Sequence, residues 1–220
     1  MDLTKKRAVF YDLDGTLTDP GEGIVNSFRY ALRAYGIPVE EDRRAYFGVI
    51  GPPLADSFAE YGGFDRKTAL EAIGKYREYF AEKGIFENEV YPGIPRLLAG
   101  NRAAGRRNIV ATSKPEVFTR RILEHFALAS WFDGVSGATL DEKRTTKEEV
   151  IAYGLRVFGL EAEEVVMVGD RKHDALGAAA CGVDFIGVSW GYGSEEELRA
   201  SGAQRIARSV EELSRLLQLP

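Results

Sequence analysis

Four short apolar runs, at residues 8–12, 108–112, 165–168 and 185–188, each close on polar or glycine-containing turns and lead into a helical pattern. That alternation narrows the folds open to the chain more than any other feature. Runs this short and this apolar fit strands buried on both faces, as in a parallel sheet with helices on either side. Residues 134–136 make a weaker fifth candidate, and helical patterns at 95–104, 115–127, 147–158 and 174–181 supply the crossovers. The expected core is therefore α/β, a doubly wound parallel sheet.

The rhythm breaks between residues 19 and 89. Helical periodicity appears at 24–35 and 67–83, with no buried strand between them. Gly51-Pro52-Pro53-Leu54 reads as a rigid turn in the middle of this stretch, and Tyr91-Pro92-Gly93 marks its exit. The expected organisation is a core of residues 1–18 and 90–220, with residues 19–89 inserted as a helical cap that covers the end of the first strand as a lid.

Composition sets the limits on function. With 220 residues, 45% hydrophobic and 29% charged, the chain can bury a full core. A net charge of −5 argues against a nucleic-acid polymer as partner. Cys181 is the only cysteine, so neither an intrachain disulfide nor a thiolate zinc site can form, and a reducing, cytoplasmic location is expected. No run approaches the roughly 18 apolar residues of a membrane span. Lys5-Lys6-Arg7 and the apolar residues after it faintly resemble a secretion signal, but Asp12 cuts that stretch short.

Ligands of parallel α/β sheets bind beyond the carboxyl ends of the strands, and here each end is polar. The first carries Asp12 and Asp14, the second Thr112-Ser113-Lys114, and the third Gly169-Asp170 with Asp174 shortly after. Side chains alternate along a strand, so Asp12 and Asp14 project to one side unless the chain has already turned. Two buried carboxylates repel each other, which calls for a metal ion or a neighbouring cation.

Asp12-Leu13-Asp14-Gly15-Thr16, Thr112, Lys147 and Gly169-Asp170-Arg171-Lys172-His173-Asp174 resemble the four ordered motifs of the haloacid dehalogenase-like hydrolases. The helical insert between the first two motifs is similar to that family's α-helical cap on a Rossmann-like core. Gly51-Pro52-Pro53-Leu54, Tyr91-Pro92-Gly93-Ile94 and Ala111-Thr112-Ser113-Lys114-Pro115 resemble the phosphoglycolate phosphatase-like branch, including members described as 5′-nucleotidases. The resemblance implies a phosphomonoesterase acting on small phosphorylated metabolites through an aspartyl-phosphate. Asp12 is the candidate nucleophile, since a carboxylate can hold a phosphoryl group between two easier steps. Asp14 is the candidate acid and base; a dehalogenase has little use for it. Asp12, the Asp14 backbone carbonyl and Asp170 are expected to bind Mg²⁺, with Asp174 orienting that shell or ligating directly.

Thr112 and the Ser113 amide are the expected donors to phosphate, with Pro115 in the first turn of the helix behind them. Lys147 is the expected cation, at the start of a helix capped by Thr145 or Thr146 with Glu148 or Glu149. Lys143 is its rival, and Lys114 comes third. Asp174 could alternatively serve as an N-cap. His125 reads as an ordinary helix residue, His173 as a loop position beside the acids, and Cys181 as a small buried residue near a helix end. Tyr76, Tyr79 and Phe80 read as cap core. Arg29, Arg33, Arg43, Arg44 and Arg77 are all open as partners for a second substrate carboxylate. A phosphomutase and a non-catalytic phosphate-binding regulator are the rival functions.

Overall fold

The computed structural model describes residues 3–141 and 143–219. Its strands are β1 (Ala8–Tyr11), β2 (Thr18–Asp19), β3 (Glu89–Val90), β4 (Arg107–Pro115), β5 (Gly134–Ala138), β6 (Val165–Gly169), β7 (Asp184–Val188) and β8 (Arg205–Ala207). Six of them form one parallel sheet in the order β5-β4-β1-β6-β7-β8, while β2 and β3 pair separately. The helices are α1 (Gly21–Ala34), α2 (Leu54–Gly62), α3 (Arg66–Tyr79), α4 (Ile94–Ala103), α5 (Glu116–His125), α6 (Lys147–Phe158), α7 (Lys172–Ala180), α8 (Glu195–Ala200) and α9 (Val210–Leu216). The chain divides into two units, one holding the residues up to Thr18 and from Val90 onward, the other Asp19–Glu89.

In the first unit the apolar run of β1 is wholly buried and takes the centre of the sheet. Its register sets Tyr11 beside Val110 of β4 and Val168 of β6. One sheet face packs Phe10, Ile109, Ala111 and Met167 against Val150 and Ile151 of α6, with Leu155 and Phe158 at the margin. A polar pair lies on the opposite face, since Asn108 alternates with Ile109 and Ala111: the Asn101 amide donates to Asn108 Oδ1 at 2.7 Å, and Asn108 in turn donates to the carbonyls of Leu98 and Trp131. The weak candidate at 134–136 is β5, on the sheet edge; β8 at the other edge was not expected, because three residues carry no readable period.

The second unit is helical. Phe28 of α1 stacks on Phe58 of α2 at 4.4 Å, and Tyr76 on Phe80 at 5.3 Å. Tyr76 and Phe80 are buried as expected of cap core, whereas Tyr79 is half-buried and its hydroxyl donates to Glu87. The single helix expected over 67–83 is in fact α3 followed by a π-helical turn, Phe80–Gly84. Positions five apart diverge on an α-helix, but the wider turn, closed by Ile85 N–H on Phe80 O at 2.8 Å, buries both Phe80 and Ile85. Pro53 is the cap residue of α2, so the Gly51-Pro52-Pro53-Leu54 turn ends by starting a helix.

Candidate active site

The strand order reverses direction around β1, with β4 on one side and β6 on the other, and the crevice at such a switch point is where open α/β sheets hold ligands. Asp12 follows β1, Thr112 lies where β4 begins to bulge before its end, and Asp170 follows β6, so three adjacent strands deliver the three polar residues to one place. Asp12 still keeps the strand register, its N–H donating to Val168 O at 2.9 Å. Gly15 then turns the chain at φ +76°, a conformation that L side chains rarely adopt.

Lys147 is the first residue of α6, capped by Thr146 with Glu149 completing the capping box, which decides between the alternatives open in the sequence. Its Nζ lies 2.8 Å from Asp12 Oδ1 and 2.7 Å from Asp174 Oδ1, and donates to Ala111 O at 3.1 Å. Burial pulls the ammonium toward losing its proton, but the charges of Asp12 and Asp174 outweigh it and raise its pKa. Lys143 is on the surface, paired with Asp141.

Asp14 stands apart from that cluster. Lys114 Nζ grips both of its carboxylate oxygens, at 2.8 Å and 2.7 Å, with both side chains largely buried. Burial pushes the Asp14 carboxyl above its ordinary pKa against the pull of Lys114. Lys114, third among the sequence candidates for a phosphate cation, is thus placed on an acid. No local pattern announces a contact between residues 100 positions apart.

Asp12, Asp170 and Asp174 present oxygens within 4.8 Å of one another, all buried. Asp170 Oδ2 accepts the Tyr192 N–H at 2.7 Å, a partner the sequence did not reveal because it arrives from the loop after β7. A Cβ on Gly15 would come within 2.2 Å of Asp170 Oδ2, and one on Gly191 within 2.3 Å, so two glycines enclose this carboxylate. Burial, then the charges of Asp174 and Asp12, holds the Asp170 pKa well above the usual range; Asp174 is pushed up to about 6, chiefly by burial. Three crowded carboxylates, only Asp12 and Asp174 of them paired with the Lys147 ammonium, are all hard oxygen donors and fit a divalent cation.

Asp174 sits at the third position of α7 and not at its cap: its Oδ2 accepts the Arg171 N–H at 3.0 Å while Oδ1 faces Lys147. Thr112 is buried, and its hydroxyl accepts the Lys114 N–H at 3.2 Å; Ser113 beside it is half-buried. Pro115 does not enter the first turn of the helix as expected. It is the last residue of β4 and the cap position of α5, because the strand bulges between Thr112 and Pro115 before the helix starts. His125 is exposed at the end of α5, His173 is half-buried in the first turn of α7, and Cys181, half-buried and not fully so, donates to Glu148 O at 3.5 Å. Among the arginines of the second unit, Arg29 is buried and donates to Glu40 O, Arg43 pairs with Glu22, and Arg44 pairs with Asp42.

A parallel sheet with a central first strand thus carries, at its carboxyl end, an acidic cluster braced by a buried lysine. The chain belongs to the haloacid dehalogenase-like hydrolases, whose family model matches residues 9–188. It is 46% identical over 210 residues to a 5′-nucleotidase of Pseudomonas aeruginosa, covering 96% of this chain and 95% of that one. It is 42% identical to the tyrosine-protein kinase PtkA of Mycobacterium tuberculosis, covering 95% of this chain and 72% of the relative. The crystal structure of a predicted phosphatase from Clostridium acetobutylicum superposes with a TM-score of 0.94 at 46% identity, over 97% of this chain and 98% of the other. Among the described residues no helix is long and apolar enough to cross a membrane.

Proposed function

We propose that this protein is a Mg²⁺-dependent phosphomonoesterase that works through an aspartyl-phosphate on Asp12. The observation that carries the reading is the separation of the two acids of the first motif: Asp12 paired with Lys147, and Asp14 paired with Lys114. Different partners suit different tasks.

Lys147 Nζ and the Leu13 N–H both reach Asp12 Oδ1, at 2.8 Å each, which supports Oδ2 as the proposed attacking oxygen. As the Asp12–phosphorus bond forms, the bond from phosphorus to the leaving oxygen breaks, and Asp14 gives that oxygen a proton. A water then attacks the aspartyl-phosphate; Asp14 takes the water's proton, the acyl-phosphate bond breaks, and inorganic phosphate leaves. Thr112 and the Ser113 amide donate to the phosphoryl oxygens, and Lys147 balances their charge. Asp12, Asp170 and the Asp14 carbonyl would hold Mg²⁺, which supplies charge neutralisation and orientation of the phosphoryl oxygens. Asp174, with one oxygen on Lys147 and the other on the Arg171 N–H, braces this arrangement from behind.

Small phosphomonoesters are the proposed substrates, with nucleoside 5′-monophosphates first because the P. aeruginosa relative bears the name 5′-nucleotidase. Phosphoglycolate is second. The test is phosphate release from nucleoside monophosphates, phosphoglycolate and sugar phosphates, with and without Mg²⁺, for wild type and Asp12→Asn. Mg²⁺-dependent release that Asp12→Asn abolishes is the expected result. Absence of release from every substrate, or label from ATP passing to a tyrosine peptide and not to water, overturns it. The second of these outcomes matters because the mycobacterial relative bears a kinase name.

A further inference from the structure

Lys114 makes two contacts that link separate parts of the site. Its ammonium holds both oxygens of Asp14, and its backbone N–H donates to Thr112 Oγ1 at 3.2 Å. A hydroxyl that accepts this bond keeps its own proton available for another acceptor. One residue therefore orients a donor on β4 and a carboxyl on the loop after β1. Both side chains of the ion pair are withdrawn from water, at 6% and 15% exposure, so the pair is not a screened surface contact.

Resting on the phosphomonoesterase reading above, we infer that Lys114 is a positioning residue that fixes the Asp14 carboxyl at the leaving-group side, away from the Asp12, Asp170 and Asp174 cluster, for both half-reactions. The reason is geometric. Asp14 must stay off the cation-binding oxygens, where a fourth carboxylate would compete for Lys147 and the cation. Lys147 already serves Asp12 and Asp174, so a second buried cation is needed to hold Asp14 elsewhere. Lys114 adds no atom to the reaction; the proton moves between Asp14, the leaving oxygen and water as before.

The test is a double-mutant cycle of Lys114→Gln and Asp14→Asn, read by steady-state kinetics and by acid quench of the phosphorylated chain. Lys114→Gln is expected to lower kcat about 10- to 100-fold, part of the roughly 10²- to 10⁴-fold that a general acid–base contributes because Asp14 itself remains, with KM changed little. With an aryl phosphate, whose leaving group needs no proton, it should also raise the fraction of chain trapped as aspartyl-phosphate, because only hydrolysis of that bond then needs the placed carboxyl. In the Asp14→Asn background the same change should cost almost nothing, since residues acting as one unit are not additive. Lys114→Arg should restore a large part of kcat and guards against loss of fold in the glutamine variant, which a melting curve checks. Additive losses, or a rise in KM with kcat intact, overturn the inference. If wild type shows Asp12-dependent phosphate release while the cycle is additive, only the role of Lys114 fails; if wild type releases no phosphate, both fall together.

Discussion

Lys147 Nζ stands 2.8 Å from Asp12 Oδ1, although the lysine opens a helix late in the chain and the aspartate directly follows its first strand. The helix is aimed there by its packing: Val150 and Ile151, one turn further on, are buried against Phe10 of the same strand. The contact follows from the core beneath it.

Replacing Lys147 by alanine leaves the buried carboxylates of Asp12 and Asp174 without their shared cation. A loss of at least about 100-fold in kcat/KM is expected, as for removal of a preorganised charge from a reacting centre. Lys143→Ala, at an exposed pair with Asp141, should stay within about 2-fold. Steady-state kinetics of the two variants side by side checks this, and the reverse ranking would relocate the phosphate-binding cation.

Cation binding should be coupled to pH with a definite sign. Asp174 is raised to about 6 and Asp170 also lies well above its ordinary value, both led by burial. Such carboxyls keep protons in the folded chain that the unfolded chain has lost, so their contribution to stability is present at low pH and disappears as pH rises through the folded values. A cation competes with those protons. The rise in Tm on adding Mg²⁺ should therefore be larger at about pH 8 than at about pH 5.5; equal shifts would contradict the crowded-carboxylate account.

Gly15→Ala tests the enclosure of Asp170. The added Cβ would meet Asp170 Oδ2 at 2.2 Å, at a φ of +76° that alanine adopts only under strain. The backbone cost is about 1–2 kcal/mol, so the fold should survive while Asp170 is displaced. A weakened Mg²⁺-dependent Tm shift with at least about 10-fold lower kcat is the expected pair of results. Unchanged Mg²⁺ response would mean that Asp170 can shift without consequence.

Asn108 offers a test of stability away from the chemistry. Its side chain is fully buried, accepts from Asn101, and donates to Leu98 O and Trp131 O. Asn108→Ala strands several polar groups and should cost about 2–4 kcal/mol in denaturant unfolding. KM should remain near wild type if the fold persists, because the residue lies near the start of β4, ahead of Thr112, and bonds to Asn101, Leu98 and Trp131 and not to the site.

What could be read from the sequence was whatever local periodicity and capping encode. α6 was expected at 147–158 and occupies those residues, because a capping box and a one-sided apolar pattern agree on its limits. β8 and α9 escaped, being three and seven residues long without a pattern of their own. The acids of the first and fourth motifs were legible because buried strand ends seldom need them. The Tyr192 amide on Asp170 was not, since a backbone N–H has no sequence signature.

The sequence by itself determined the class of sheet, the carboxylates at its strand ends and the family to which the chain belongs, because hydrophobic period and motif order are properties of the linear chain. Only the tertiary structure decided which cation belongs to which acid. Lys147 was expected to meet phosphate, and it bridges Asp12 and Asp174; Lys114 was ranked third for that task, and it holds Asp14. Charge pairing depends on distance and burial, and both are decided by how β1, β4, α6 and α7 pack together, not by how far apart their residues lie along the chain.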